Sequence, residues 1–338
     1  MKDRERFLKV MNPVSGWFEE LDRLPFSEWV GLWDDTLYNW YSQGLPKNLK
    51  ESAEIRAYFN FDNWQQCWIA PRKSSMPDNH QNYKPIVIDI DSFNKIKEHL
   101  YPEIAFDKKM VAEWAAVQKN NDMVVWVSLE GFYWFPRTLL GMEGVNYIYY
   151  DDPELMHQIN KDILEFNIRV FKEFCQICKP DFMTFAEDMS YNHGPLISKA
   201  TFDEFMLPYY NEIIPLVKEN GTIPFVDTDG NPEILLPWFL DIGIEGFLPM
   251  ERQSGTDIVK YRELYPKLKI IGAFDKTVLN KGEDMIRKEF ERLFPIMKQG
   301  GFVVGVDHQV PPYVLLKEYE VFLKLMQEYN EAAVRQNR

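Results

Sequence analysis

From about residue 120 onward, apolar residues fall into short runs rich in β-formers. They recur at intervals that leave room for one helix between each pair. The runs are Met123–Leu129, Asp181–Ala186, Thr222–Val226, Ile244–Pro249, Leu268–Phe274 and Phe302–Val306. The segments between them carry helix boundary signals. Asp152-Pro153 is an N-cap followed by proline at the first helical position, and Ser198 caps a segment that can stop at Gly221. Asn231-Pro232 and Thr256-Asp257 open two more. Strand, helix, strand, helix at this spacing predicts a parallel sheet with right-handed crossovers, and so the α/β class.

Residues 1–110 read as mostly helical and less regular. Within Phe26 to Tyr41, the residues Trp29, Trp33, Leu37, Trp40 and Tyr41 fall near one helical face and are expected to pack in the core. The polar, proline-broken stretch from Arg72 to Lys84 reads as a surface loop. A barrel requires two further strands before residue 120, and Trp64–Ala70 and Pro85–Asp89 are the candidates. An open doubly wound sheet is the alternative. However, no GxGxxG follows the first clear strand and no GxxxxGK[ST] occurs, so a nucleotide-binding fold is not supported. The expectation is one barrel domain over residues 1–338, with a helical part at 1–110 and regular units at 120–325.

Composition narrows the partners. A chain of 338 residues that is 46% hydrophobic has ample core, and a net charge of −14 disfavours nucleic acid or an anionic membrane as partner. Three cysteines make no disulfide framework, the opening MKDRERFLKVMN lacks the apolar stretch of a signal peptide, and no apolar run is long enough to span a bilayer. These features predict a cytoplasmic protein. Cys175-x-x-Cys178 lies at a helix end before a strand, away from the catalytic face of a barrel, and reads as core rather than redox or zinc chemistry.

In a parallel barrel the carboxyl ends of the strands build the site. Here Glu130 and Arg137 follow the first clear run, and Glu187, Asp188, Tyr191 and His193 follow the next. Asp227 and Asp229, then Glu251, then Asp275 and Lys276, and finally Asp307 and His308 follow in turn. Helix capping accounts for one or two of these, such as Asp275 or Asp188. Converging carboxylates raise one another's pKa unless a cation or a proton intervenes, so the pattern points to metal binding or general acid–base work. Asp227 and Asp229, two apart in an extended segment, share a side. With His308 they form an oxygen and nitrogen donor set that suits zinc, manganese or iron.

Five segments carry a resemblance to a known family: GFYWFPRTLLG (131–141), EDMSYNHGPLISKATFDEFMLPYY (187–210), TIPFVDTDGN (222–231), IIGAFDK (270–276) and GGFVVGVDHQVP (300–311). Over residues 120–325 the chain resembles the uroporphyrinogen decarboxylase family, which includes the corrinoid-dependent methyltransferases. The resemblance implies a distorted (β/α)8 barrel. Two decarboxylase features are missing: no RQAGRY-like segment occurs, and Ile69 or a neighbour stands where the first strand would end in an essential aspartate. His308 matches the histidine of the GHG motif in a DHQ context. Against the methyltransferases, Asp227-x-Asp229 stands at the zinc-binding His-x-Cys and His308 at the distant cysteine.

The resemblance therefore implies a metal-assisted methyltransferase or O-demethylase component that works with a corrinoid, either as substrate or on a partner protein. The alternatives are a decarboxylase of uroporphyrinogen III or a smaller substrate, as in porphyrin biosynthesis, and a non-catalytic corrinoid- or tetrapyrrole-binding protein. The expected catalytic groups are His308, Asp229 and Glu187. Arg137, Tyr191, His193, Glu251 and Lys276 are expected to bind substrate, and Asp227, Asp229 and His308 to hold zinc or another divalent metal. The resemblance also implies a homodimer.

Overall fold

The structure, a computed structural model, describes residues 1–77 and 84–337. Residues 78–83 of the polar loop expected at Arg72–Lys84 lie outside those residues. Seven parallel strands alternate with helices: β1 (Trp64–Ile69), β2 (Val124–Glu130), β3 (Phe182–Ala186), β4 (Ile223–Thr228), β5 (Gly246–Pro249), β6 (Lys269–Phe274) and β7 (Phe302–Val306). With the helical region before them, they give the α/β architecture expected, that of a distorted (β/α) barrel. The six regular runs each became a strand within two residues of the expected start, and Trp64–Ala70 became β1.

Pro85–Asp89 did not become a strand. Both Ile86 N and Val87 N donate to a single carbonyl, Leu139 O, at 2.8 and 3.0 Å, and Asp89 turns the chain into the helix Ile90–Ile96. Its carboxylate accepts from Ser92 N at 2.8 Å, which is a capping geometry no strand could keep.

The chain forms two compact units. The first comprises Met1–Gln65, Val117–Val124 and Gly246–Arg338, and the second Gln66–Ala116 and Val125–Glu245. In the second unit, β2, β3 and β4 lie side by side in parallel, with Trp126 opposite Phe182 and Phe182 opposite Ile223. Every residue of β2 is buried, as a strand covered on both faces requires. The rings of Trp126 and Phe182 stack at 4.9 Å. The helix Pro153–Ile177 starts where Asp152 accepts from Leu155 N at 3.0 Å, and it buries Leu155, Ile159, Ile163, Phe166, Val170 and Phe174 along one stripe.

Ser198 caps Lys199–Phe205 as expected, but the helix breaks at Met206 and resumes as Leu207–Glu219, because Pro208 cannot continue the hydrogen-bond ladder. Asn231 accepts from Glu233 N at 3.0 Å in a turn, so the next helix begins only at Leu235.

In the first unit, β5, β6 and β7 are parallel neighbours, backed by the helices Glu283–Met297 and Leu316–Arg335. Phe274 lies 4.7 Å from both Phe290 and Phe322, joining the strand to the two helices. Asp257 caps the helix Ile258–Leu264. The helix expected over Phe26–Tyr41 shrinks to Asp34–Ser42. The preceding residues are drawn out because Trp29 Nε1 donates to Val306 O at 2.9 Å and Glu28 Oε2 accepts from Val306 N at 3.0 Å. Tertiary hydrogen bonds at the end of β7 thus override the helical pattern. Trp29 and Trp40 are nevertheless core residues, whereas Trp33 is 43% exposed.

Cys175 lies in the last turn of the helix Pro153–Ile177 and Cys178 follows it; neither forms a disulfide, and Cys178 is buried, in keeping with a core role. Among the described residues, no helix is long and apolar enough to cross a membrane.

Candidate active site

In the second unit the chain turns sharply after β2 and β3, and the two turns lock together. Glu187, directly after β3, is completely buried. Its carboxylate accepts from Phe132 N at 2.8 Å, Tyr133 N at 2.7 Å and Trp134 N at 3.2 Å, and also from the Tyr210 hydroxyl. These amides lead into the helix Trp134–Asp151, whose positive end a carboxylate favours. Only glycine fits at position 131, since a Cβ there would lie 2.2 Å from Glu187 Cδ. Burial pushes the Glu187 carboxyl up, to about 7, against the opposing pull of Tyr210 and the three amides. Glu187 is therefore enclosed by donors.

Arg137, buried on the same helix, lies 4.1 Å over the Trp134 ring. It grips Asp188 at both ends: Nη1 donates to the backbone carbonyl and Nη2 to Oδ2, each at 2.8 Å. Asp188 adopts φ 44°, a left-handed conformation uncommon for a residue with a side chain. Its Oδ1 in turn accepts from Asp229 N at 3.3 Å. Arg137, Asp188 and the backbone of Asp229 thus form one chain of contacts. Asp188 is a site residue that sequence reasoning set aside as a helix cap; its carboxylate instead bridges two strand ends.

Asp227 is the penultimate residue of β4. Its backbone carbonyl accepts from Glu187 N at 2.9 Å and Asp188 N at 3.2 Å. Among the described residues, no donor reaches its carboxylate. Burial, together with the charges of Asp229 and Asp188, pushes that carboxyl well above the usual range. After Asp229 the chain reverses at Gly230, where φ is 79° and a Cβ would meet the Tyr191 backbone at 2.7 Å. Tyr191 and His193 are exposed on a short two-stranded hairpin, with their rings 5.6 Å apart.

The first unit carries a second polar cluster at the ends of β5, β6 and β7. Asp307, directly after β7, is fully buried. It accepts from Arg252 N at 2.8 Å and Lys276 N at 3.1 Å. Lys276 Nζ donates to Glu251 Oε1 at 3.0 Å and lies 3.7 Å from Asp307 Oδ1. Burial pushes the Asp307 carboxyl up to about 6, although Lys276 and the two amides draw it down. His308 is half-buried, with its ring edge-on to that of Trp33 at a 6.4 Å centroid distance. Asp275 accepts from Thr277 N at 2.8 Å, the capping role expected of it. Behind β7, Glu28 is buried and its carboxyl is pushed up to about 8. No strand-end rule could find Glu28, because it arrives from the N-terminal region.

The sequence profile of the uroporphyrinogen decarboxylase (URO-D) family matches residues 136–329. No curated protein matches the chain. Among solved structures, that of Dispersin B is similar over 79% of this chain and 88% of its own, with 10% identity and a TM-score of 0.36.

Proposed function

Because this chain belongs to the uroporphyrinogen decarboxylase family, we propose that it is a barrel enzyme of that family whose chemistry is metal-assisted methyl transfer, with a corrinoid as methyl carrier. The observation that carries the reading is the Asp227 carboxylate. It has no hydrogen-bond donor among the described residues and stands beside two more carboxylates, a setting that calls for a cation or a proton. Asp227 and Asp229 would hold a divalent ion from their strand end, and the family resemblance assigns His308 the remaining ligand place. Two carboxylates and an imidazole are hard donors, suited to zinc, manganese or iron. When bound, such an ion supplies Lewis-acid activation of the methyl acceptor.

The protein's own residues do the rest. Arg137, fixed by Trp134 and Asp188, sets the Asp188 carboxylate against the Asp229 backbone and so orients that ligand. Glu187, surrounded by four donors, positions the two turns rather than moving a proton. Protein purified without chelators should contain about one divalent ion, and Asp229→Ala and His308→Ala should each lose it. Metal-free wild type would overturn the metal assignment.

A second reading, decarboxylation, is favoured by one particular group. Asp307 is a buried carboxyl pushed up to about 6, so it can hold a proton near neutrality. Beside it the Lys276 ammonium offers a partner for a substrate carboxylate. Incubation with methylcobalamin and with porphyrinogens distinguishes the readings. A cobalt–methyl spectral change supports methyl transfer, carbon dioxide release supports decarboxylation, and binding without turnover overturns both.

A further inference from the structure

The N-terminal region meets the end of β7 with three tryptophans, and one of them differs from the other two. Trp29 and Trp40 are buried and donate their indole N–H groups to backbone carbonyls, Val306 O at 2.9 Å and Val314 O at 2.8 Å. Trp33 is 43% exposed, and its N–H has no acceptor among the described residues. Its one aromatic contact among them is with His308, edge-on at a centroid distance of 6.4 Å and an interplanar angle of 84°. Both residues belong to the first unit.

Trp33 also holds a place that its own helix would not choose. It is the N-cap of Asp34–Ser42, extended at φ −69° and ψ 147°, and its side chain caps nothing. Aspartate or serine fills that place at Asp89, Asp152, Ser198 and Asp257, each accepting from a following amide. A local rule broken beside a candidate ligand points to a role outside the helix. The backbone on either side of Trp33 is tied to the chain beyond His308. Gln309 Nε2 donates to Gly31 O at 3.2 Å, and Thr36 Oγ1 donates to Val310 O at 2.7 Å. The indole thus stands against the imidazole on a fixed support while adding little to the core.

We infer that Trp33 is a positioning residue for His308. The indole limits rotation of the imidazole and so sets the direction of the nitrogen offered to an ion. Rotation about the last side-chain bond of histidine is otherwise broad, so a neighbouring ring has an effect to exert. The inference rests on the reading of His308 as a ligand.

Cobalt(II) added to the metal-free full chain is the probe, because its visible absorption reports ligand geometry. Trp33→Ala should weaken cobalt binding by roughly three- to ten-fold, the worth of one edge-on aromatic contact, and alter the visible bands. Trp33→Phe keeps a ring and should restore both affinity and spectrum. Thermal midpoints should stay in place, since the side chain is half exposed and its N–H unbonded. A second readout needs no ion: carbethoxylation of His308 in metal-free protein, followed by mass spectrometry, with the exposed His193 as internal reference. Trp33→Ala should speed it by about three-fold or more, and Trp33→Phe should not. Unchanged modification of His308 in Trp33→Ala would overturn the inference whether or not cobalt binds. So would a cobalt affinity and spectrum that Trp33→Ala leaves as they are. A wild type that takes up no cobalt would sink the reading of His308 as a ligand, and the modification rate would then decide the positioning.

Discussion

Replacing Glu187 by glutamine tests the lock between the turns after β2 and β3. The glutamate offers only acceptors, and four donors converge on them. A glutamine must aim its NH2 at some of those donors. If the NH2 replaces Oε2, Tyr133 N and Trp134 N both lose their acceptor. If it replaces Oε1, Phe132 N loses its acceptor, although the Tyr210 hydroxyl can turn and accept. The second arrangement is cheaper. It still leaves one buried amide unpaired, at about 1–3 kcal/mol, and removes a charge from a helix N-terminus, at about 0.3–1 kcal/mol.

Glu187→Gln should therefore destabilise by roughly 1–4 kcal/mol in urea unfolding. The same energy should appear locally as roughly 10- to 1,000-fold faster opening of the Phe132, Tyr133 and Trp134 amides in hydrogen exchange. Tyr210→Phe in a double-mutant cycle should show coupling of about 1 kcal/mol or more. A Glu187→Gln variant within about 0.5 kcal/mol of wild type, with unchanged exchange at those amides, would refute the reasoning.

The other expectations can be checked separately. Gly131→Ala drives a Cβ into the Glu187 carboxyl and should lower the unfolding midpoint by the equivalent of about 3 kcal/mol; a neutral result would mean that the turn can yield. Glu28, pushed from 4.5 up to about 8, contributes stability that is fully present below about 4.5 and lost as pH rises through 8. Glu28→Gln should thus gain on the wild type by up to ~5 kcal/mol across that window, at about 1.4 kcal/mol per pH unit, and a pH-independent gap would contradict it. Burial pushes the Cys67 thiol up to about 11 and Cys175 up to about 12. Alkylation of the folded protein at pH 8 should be at least ~100-fold slower than in denaturant, as read by mass spectrometry.

The regular half of the fold was legible because its signals are local. An Asp-Pro or Ser cap and a run such as VVWVSL specify their own elements, and Asp152, Ser198, Asp257 and β2 appear where they should. The N-terminal half was not, because its conformation is dictated by partners hundreds of residues away. Trp29 sits at a helical spacing but bonds to Val306, and the pull of that contact is invisible in a window of a dozen residues. The site divides in the same way. That carboxylates collect at strand ends could be read directly, but which of them are enclosed and which are open could not. Glu187 and Asp227 look equivalent in sequence. Four donors close around the first, by way of a glycine at 131 and a tyrosine at 210, and none among the described residues reaches the second.

The contacts of Glu28 and Trp29 bear on how this protein can be cut. Between them they take up both backbone groups of Val306, the last residue of β7, immediately before Asp307 and His308. The match to the family profile starts at residue 136, so a fragment cut to that match would discard both side chains. The final strand would then end in two orphaned peptide groups, next to an aspartate whose placement depends on that strand. A border of homology is here not a border of folding: residues outside the family match complete a strand inside it.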